Sequence, residues 1–117
     1  MTNITILNLR NLDSIDYAFS GWHRAKDKFN LNDYRVVYTG CTKNRMLRDD
    51  DYTDVCEDLF ARTNVPGADA LDDFFGHSMS VSDVVIISSI DGMRAYYCDT
   101  FGWQRIDTLK VVGCMGV

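Results

Sequence analysis

The chain is poor in the residues from which metal centres and many catalytic sites are built. Its 117 residues include two histidines, His23 and His77, and a single glutamate, Glu57. The four cysteines, Cys41, Cys56, Cys98 and Cys114, form no C-x-x-C pair, and none stands at zinc-ligand spacing from a histidine. That argues against a structural metal site, and no cofactor is expected. No stretch approaches the ~20 apolar residues of a membrane-spanning helix. The longest apolar run, around Val84 to Ile87, suits a buried strand. The N-terminus, MTNITILNLRNL, lacks a basic region followed by an apolar one and a cleavage site, so no signal peptide and a cytoplasmic location are expected. In that compartment free thiols are expected rather than a disulfide framework, with Cys56 and Cys98 acting as small buried hydrophobes. Nor is there a glycine-rich phosphate loop: Gly21, Gly40, Gly67, Gly76, Gly92 and Gly102 punctuate single elements.

What the chain does have is a core and an uneven charge. With 46% hydrophobic residues, six Phe, six Tyr and two Trp, one domain over residues 1–117 can bury enough surface to fold unstapled. The formal charge of -5 conceals a sharper division. Residues 1–48 carry eight Lys or Arg against four Asp, whereas residues 49–73 carry eight Asp and Glu57 against Arg62 alone. This acidic belt comprises Asp49, Asp50, Asp51, Asp54, Glu57, Asp58, Asp69, Asp72 and Asp73. It reads either as a solvated, well-capped helix face or as a negative surface that docks on a basic partner. Sixteen of the seventeen acids are Asp, whose short side chain fixes charge close to the backbone. Such an array suits imitation of a phosphate backbone.

Periodicity divides the chain into alternating elements. Asn3 to Leu9 alternates like a strand. Asp13 or Ser14 can cap a helix running to Asn30, because Ile15, Ala18, Phe19, Trp22, Ala25 and Phe29 recur at helical spacing. Gly21 within it costs about 1 kcal/mol relative to Ala. Tyr34 to Thr39 reads as a second strand that Gly40 ends, with Val36 and Tyr38 on one side and Val37 on the other. Cys41 to Asp51 reads as an exposed loop. Thr53 can cap a second helix to Asn64, with Val55, Cys56, Leu59 and Phe60 as its apolar stripe. Ala68 to Phe75 suggests a helical turn. Asp83 to Ser89 reads as a strand buried on both faces, and Asp91-Gly92 as a hairpin turn into Met93 to Thr100. Trp103 to Ile106 completes the pattern, and Val111 to Val117 suggests an edge strand. The predicted fold is α+β: a four- to five-stranded antiparallel or mixed sheet with two helices packed on one face.

The segments Gly76-His77-Ser78-Met79-Ser80-Val81-Ser82-Asp83-Val84-Val85 and Ala95-Tyr96-Tyr97-Cys98-Asp99-Thr100-Phe101-Gly102-Trp103 resemble a known family. So do Val37-Tyr38-Thr39-Gly40 and Leu59-Phe60-Ala61-Arg62-Thr63-Asn64-Val65. The chain resembles the YodL-like domain over roughly Tyr34 to Ile106. This is a small module of Gram-positive bacteria, phages and other mobile elements, sometimes fused alongside anti-restriction modules. The resemblance brings no established activity with it. It implies an accessory protein of a mobile element.

Joined to the acidic belt, it points to a small non-enzymatic protein that binds and inhibits a host defence or nucleic-acid-handling protein. The partner would be a basic protein, such as a defence nuclease or restriction system, with no direct contact to nucleic acid or membrane. A rival reading makes His77, Ser78 or Ser80, Ser82, Asp83 and Asp99 a hydrolase-like site. Against it, Ser and Asp side chains commonly satisfy backbone donors in a tight turn. A third reading is a homodimer joined through an exposed strand edge. A His23/His77 metal site with Asp83 or Asp99, and a base-stacking platform of Tyr96, Tyr97, Phe101 and Trp103, are weaker alternatives. Only Arg94 and Arg105 flank those rings.

Overall fold

A computed structural model describes residues 2–42, 49–64, 79–89 and 92–106, without the side chains of residues 42, 49 and 50. Five antiparallel strands form one sheet in the order β2-β1-β3-β4-β5. They are β1 (Thr2–Leu9), β2 (Tyr34–Thr42), β3 (Val84–Ser89), β4 (Gly92–Cys98) and β5 (Trp103–Ile106). Two helices, α1 (Trp22–Ala25) and α2 (Asp49–Asn64), and a short 3-10 turn at Leu31–Asp33 complete the α+β fold.

β3 has no solvent face, as its unbroken apolar run requires. Val84 and Ile86 belong to one core, while Val85 and Ile87 belong to the other. The first core gathers Leu7, Leu9, Tyr34 and Tyr97 from the sheet beneath Tyr17, Trp22, Ala25 and Phe29. The second packs Ile4, Ile6, Val37 and Tyr96 against Tyr52, Cys56 and Leu59 of α2. The helical segments therefore cover opposite faces, not one face as the sequence suggested. The run Val84–Ile87, apolar and buried at every position, demands cover on both sides, and each helix supplies one.

The long first helix expected over Asp13–Asn30 is a chain of turns with one short helix. Its apolar side chains other than Phe19 reach the core, but the backbone is redirected twice. Phe19 takes a left-handed conformation (φ 63) and is 55% exposed, and its N–H donates to Ser82 Oγ at 3.1 Å. Gly21 is extended, and the Trp22 N–H donates to Asp99 Oδ1 at 3.2 Å. Distant acceptors have replaced i−4 carbonyls, a tertiary override of periodicity. A Cβ on Gly21 would lie 2.9 Å from that carboxylate oxygen. Close approach, not helix punctuation, accounts for the glycine.

β2 continues through Gly40 to Thr42, so Gly40 does not end it. The Tyr38 ring folds over Gly40, where a Cβ would overlap it. A bulge shifts the β1–β2 register between Ile6↔Tyr38 and Leu7↔Val36. Val37 and Tyr38 consequently both serve the α2-side core, correcting the simple alternation. α2 starts at Asp49, so Thr53 is interior rather than the cap. Of the expected loop at Cys41–Asp51, Cys41 and Thr42 belong to β2 and Asp49–Asp51 to α2; residues 43–48, like the expected turn at 68–75 and strand at 111–117, lie outside the described residues. The hairpin forms as expected, but Gly92 (φ 123) pairs with Ser89 and opens β4 rather than occupying the turn, one residue off the Asp91-Gly92 reading.

Candidate functional site

The acidic belt divides at the end of α2. Asp49 and Asp50 lie in the helix's first turn, where negative charge complements the dipole. Asp51 is half-buried, while Asp54, Glu57 and Asp58 are exposed on the side away from Tyr52, Cys56 and Leu59. Offsets of three and four residues bring Asp51, Asp54 and Asp58 to one stripe. Arg62 approaches Asp58 at 3.7 Å, but both side chains are largely exposed, so this pair contributes little. Asp69, Asp72 and Asp73 lie outside the described residues.

The far end of α2 is held to the sheet. Asn64 Nδ2 donates to the carbonyls of Phe60 (2.8 Å) and Met79 (3.1 Å). The Met79 N–H donates to Thr63 Oγ1 at 3.3 Å. Across the helix, Trp103 Nε1 donates to Glu57 Oε1 at 3.1 Å, and the Trp103 ring meets Phe60 edge-on at 6.4 Å between centroids. This contact joins residues 46 apart, and no spacing in the sequence signalled it. Together Glu57, Phe60, Val81, Cys98, Thr100 and Trp103, with Asp99 and Gly102, line a cavity of about 150 Å³. Beside it Phe101 is 95% exposed.

The polar turn before β3 has a different character. Asp83 is fully buried, and its Oδ2 accepts from the Ser80 N–H at 2.9 Å. Ser82, at φ 86, uses its Oγ as an acceptor for Phe19 N–H and its carbonyl for the Tyr34 hydroxyl at 2.5 Å. Asp99 Oδ1 accepts from Trp22 N–H and, at 2.8 Å, from Thr100 N–H. Each of these groups serves backbone or scaffold donors. Asp83 and Asp99 hold different segments, so the described residues do not converge on a nucleophile–base pair. His77 and Ser78 lie outside the described residues.

Burial is the main influence on the ionisable groups nearby. It pushes the Cys98 thiol up to about 12, reinforced by the carboxylates of Asp83, Glu57 and Asp99. Burial also raises Cys56, with smaller contributions from Cys98 and Glu57. Both thiols are free and protonated at neutral pH, unlike an activated nucleophile. Cys41 is free and exposed, and Cys114 lies outside the described residues.

His23 is exposed on α1, and among the described residues no three ligand-type side chains gather. Tyr96 and Tyr97 are buried on opposite faces, which dismantles the proposed stacking platform. Among the described residues no helix is long and apolar enough to cross a membrane. Asn8 is wholly buried at the end of β1, yet neither its amide nitrogen nor its oxygen has a hydrogen-bond partner among the described residues.

Compared with known families, residues 3–108 match the model of the YodL-like domain. No curated protein and no solved structure matches the chain.

Proposed function

Because the chain belongs to the YodL-like domain family, we propose that it works as a small acidic accessory protein of a mobile element. In this reading it binds a basic host defence or nucleic-acid-handling protein and blocks it without catalysis. The observation that carries this reading is the exposed stripe of Asp54, Glu57 and Asp58 on a helix whose other side is locked to the sheet. Carboxylates on a fixed helix hold their spacing, and a like-charged stripe raises association rates with a basic groove. The alternative hydrolase reading loses support because Ser82, Asp83 and Asp99 are engaged by backbone donors.

The test begins with the tagged protein as bait in extracts of a host of the element, followed by kinetics on the purified partner. The Asp51→Asn, Asp54→Asn, Asp58→Asn triple variant should associate about tenfold more slowly at low salt, with dissociation changing less. Its salt dependence should flatten, and DNA should compete with the protein for the partner. Equal rates with equal salt slopes for wild type and variant would reduce the belt to a solvated helix face.

A further inference from the structure

We infer that the cavity between α2 and the β4–β5 turn is a receptor for an arginine side chain, the anchor by which a basic partner engages this protein. This inference rests on the docking role of the α2 face and adds to it a particular pocket and a particular side chain. At about 150 Å³ the space falls below the ~300 Å³ at which drug-sized ligand sites begin, but accommodates the end of one long side chain.

The lining defines what that end must be. Phe60 and Trp103 supply two aromatic rings set edge to face, 6.4 Å apart. Glu57 borders the same space, with Oε1 oriented by the Trp103 indole N–H at 3.1 Å. Among the described residues its other oxygen has no hydrogen-bond donor. Asp99 adds a second negative charge to the lining, and among the described residues no Lys or Arg contributes to it. Asp54 and Asp58 extend the negative field along the exposed side of the helix. The buried Cys98 thiol senses this field, since the carboxylates around it help hold its proton. A flat cation that stacks on aromatic rings while donating in-plane hydrogen bonds to a carboxylate is a guanidinium. Lysine would satisfy the charge, but its ammonium cannot stack or present a planar fork.

Phe101 supports the same conclusion from outside the pocket. It projects from the turn formed with Gly102 (φ 73) and is 95% exposed, although its neighbours Thr100 and Gly102 line the cavity. Among the described residues no contact covers this phenyl ring. Beside an arginine receptor it provides the apolar contact that commonly surrounds a buried cationic anchor.

The experiment titrates N-acetyl-arginine methylamide into the whole protein and follows the Trp103 indole N–H resonance, with Trp22 as internal control. A nine-residue arginine peptide is titrated in parallel against the wild type, Glu57→Gln, Phe101→Ala and the triple Asn variant. The Trp103 signal should shift to saturation while Trp22 stays still, and the lysine analogue should bind more weakly. Glu57→Gln, which still accepts the indole hydrogen bond, should lose about tenfold in affinity for the arginine analogue. Phe101→Ala should weaken the peptide while leaving the small analogue's affinity intact. Small unsaturating shifts shared by both tryptophans and matched by sodium chloride would overturn the inference. So would equal affinities of wild type and Glu57→Gln. If the triple Asn variant slows peptide association while Glu57→Gln has no effect, the docking face survives and the pocket falls. If only Glu57→Gln matters, the pocket stands and the extended steering surface falls.

Discussion

Replacing Asp99 by Ala takes an acceptor away from two backbone donors at once, Trp22 N–H at 3.2 Å and Thr100 N–H at 2.8 Å. The first of these opens α1, whose N-cap residue, Gly21, has no side chain to do the task. Asp99 therefore caps a helix 77 residues away in the sequence. Loss of an N-cap acceptor costs about 0.5–2 kcal/mol, and the Thr100 donor, close to solvent, can exchange its lost partner for water. The expected destabilisation is thus about 1–2 kcal/mol, equivalent to a melting temperature lower by roughly 3–10 °C in a domain of this size.

The consequences should be local as well as global. Trp22 packs against Tyr97 in a tilted contact and against Phe29 edge-on, at centroid distances of 5.0 and 5.4 Å. Near-ultraviolet circular dichroism should therefore lose part of its aromatic signal in Asp99→Ala. Asp99→Asn retains a side-chain oxygen and should recover most of the loss, because Asn caps helices about as well as Asp. Gly21→Ala tests the same contact from the other side, since its new Cβ must displace the carboxylate. If Asp99→Ala melted like wild type, or if Asn rescued nothing, Asp99 would not be a structural cap. A catalytic or charge-specific role would then need reconsideration.

How much of this was legible beforehand depends on the range of the interactions involved. The apolar run Val84–Ile87 and the Asp91-Gly92 signal declare strand and hairpin through local pattern, although Gly92 falls in β4, paired with Ser89, one residue beyond the turn. The first helix differs because its apolar spacing marks most of the buried side chains, though not Tyr17 and wrongly Phe19, and says nothing of what receives the backbone N–H groups. Those acceptors, Ser82 Oγ and Asp99 Oδ1, lie 63 and 77 residues away. The placement of helices was misjudged for a related reason. A doubly buried strand requires two covering layers, and that requirement outweighs the simpler two-layer arrangement. In the candidate site, the exposed acids of α2 were legible from helical spacing, whereas the Glu57–Trp103 contact was not. It depends on β5 folding back beside the helix, a long-range event that leaves no local signature.

Two further outcomes follow from buried groups. Asn8→Leu conserves shape while removing two polar atoms that have no partner among the described residues from a fully buried position. It should leave stability unchanged or raise it by about 1–3 kcal/mol, measured by urea unfolding, and clear destabilisation would reveal a partner for the amide. The last outcome concerns alkaline pH. Burial raises Tyr17, Tyr34, Tyr97, Cys56 and Cys98 above their ordinary values of 10.0 for tyrosine and 9.0 for cysteine. Folded protein keeps these protons after the unfolded chain has begun to release them. Their contribution is complete below about pH 9 and is lost progressively above it as pH climbs toward the raised folded values. Urea midpoints should accordingly be level from pH 7 to about 9 and fall steeply beyond. At pH 8 a thiol reagent should modify exposed Cys41 while Cys56 and Cys98 react only after unfolding. A midpoint constant to pH 11, or rapid modification of Cys98 in the folded protein, would contradict the burial of these groups on the two faces of the sheet.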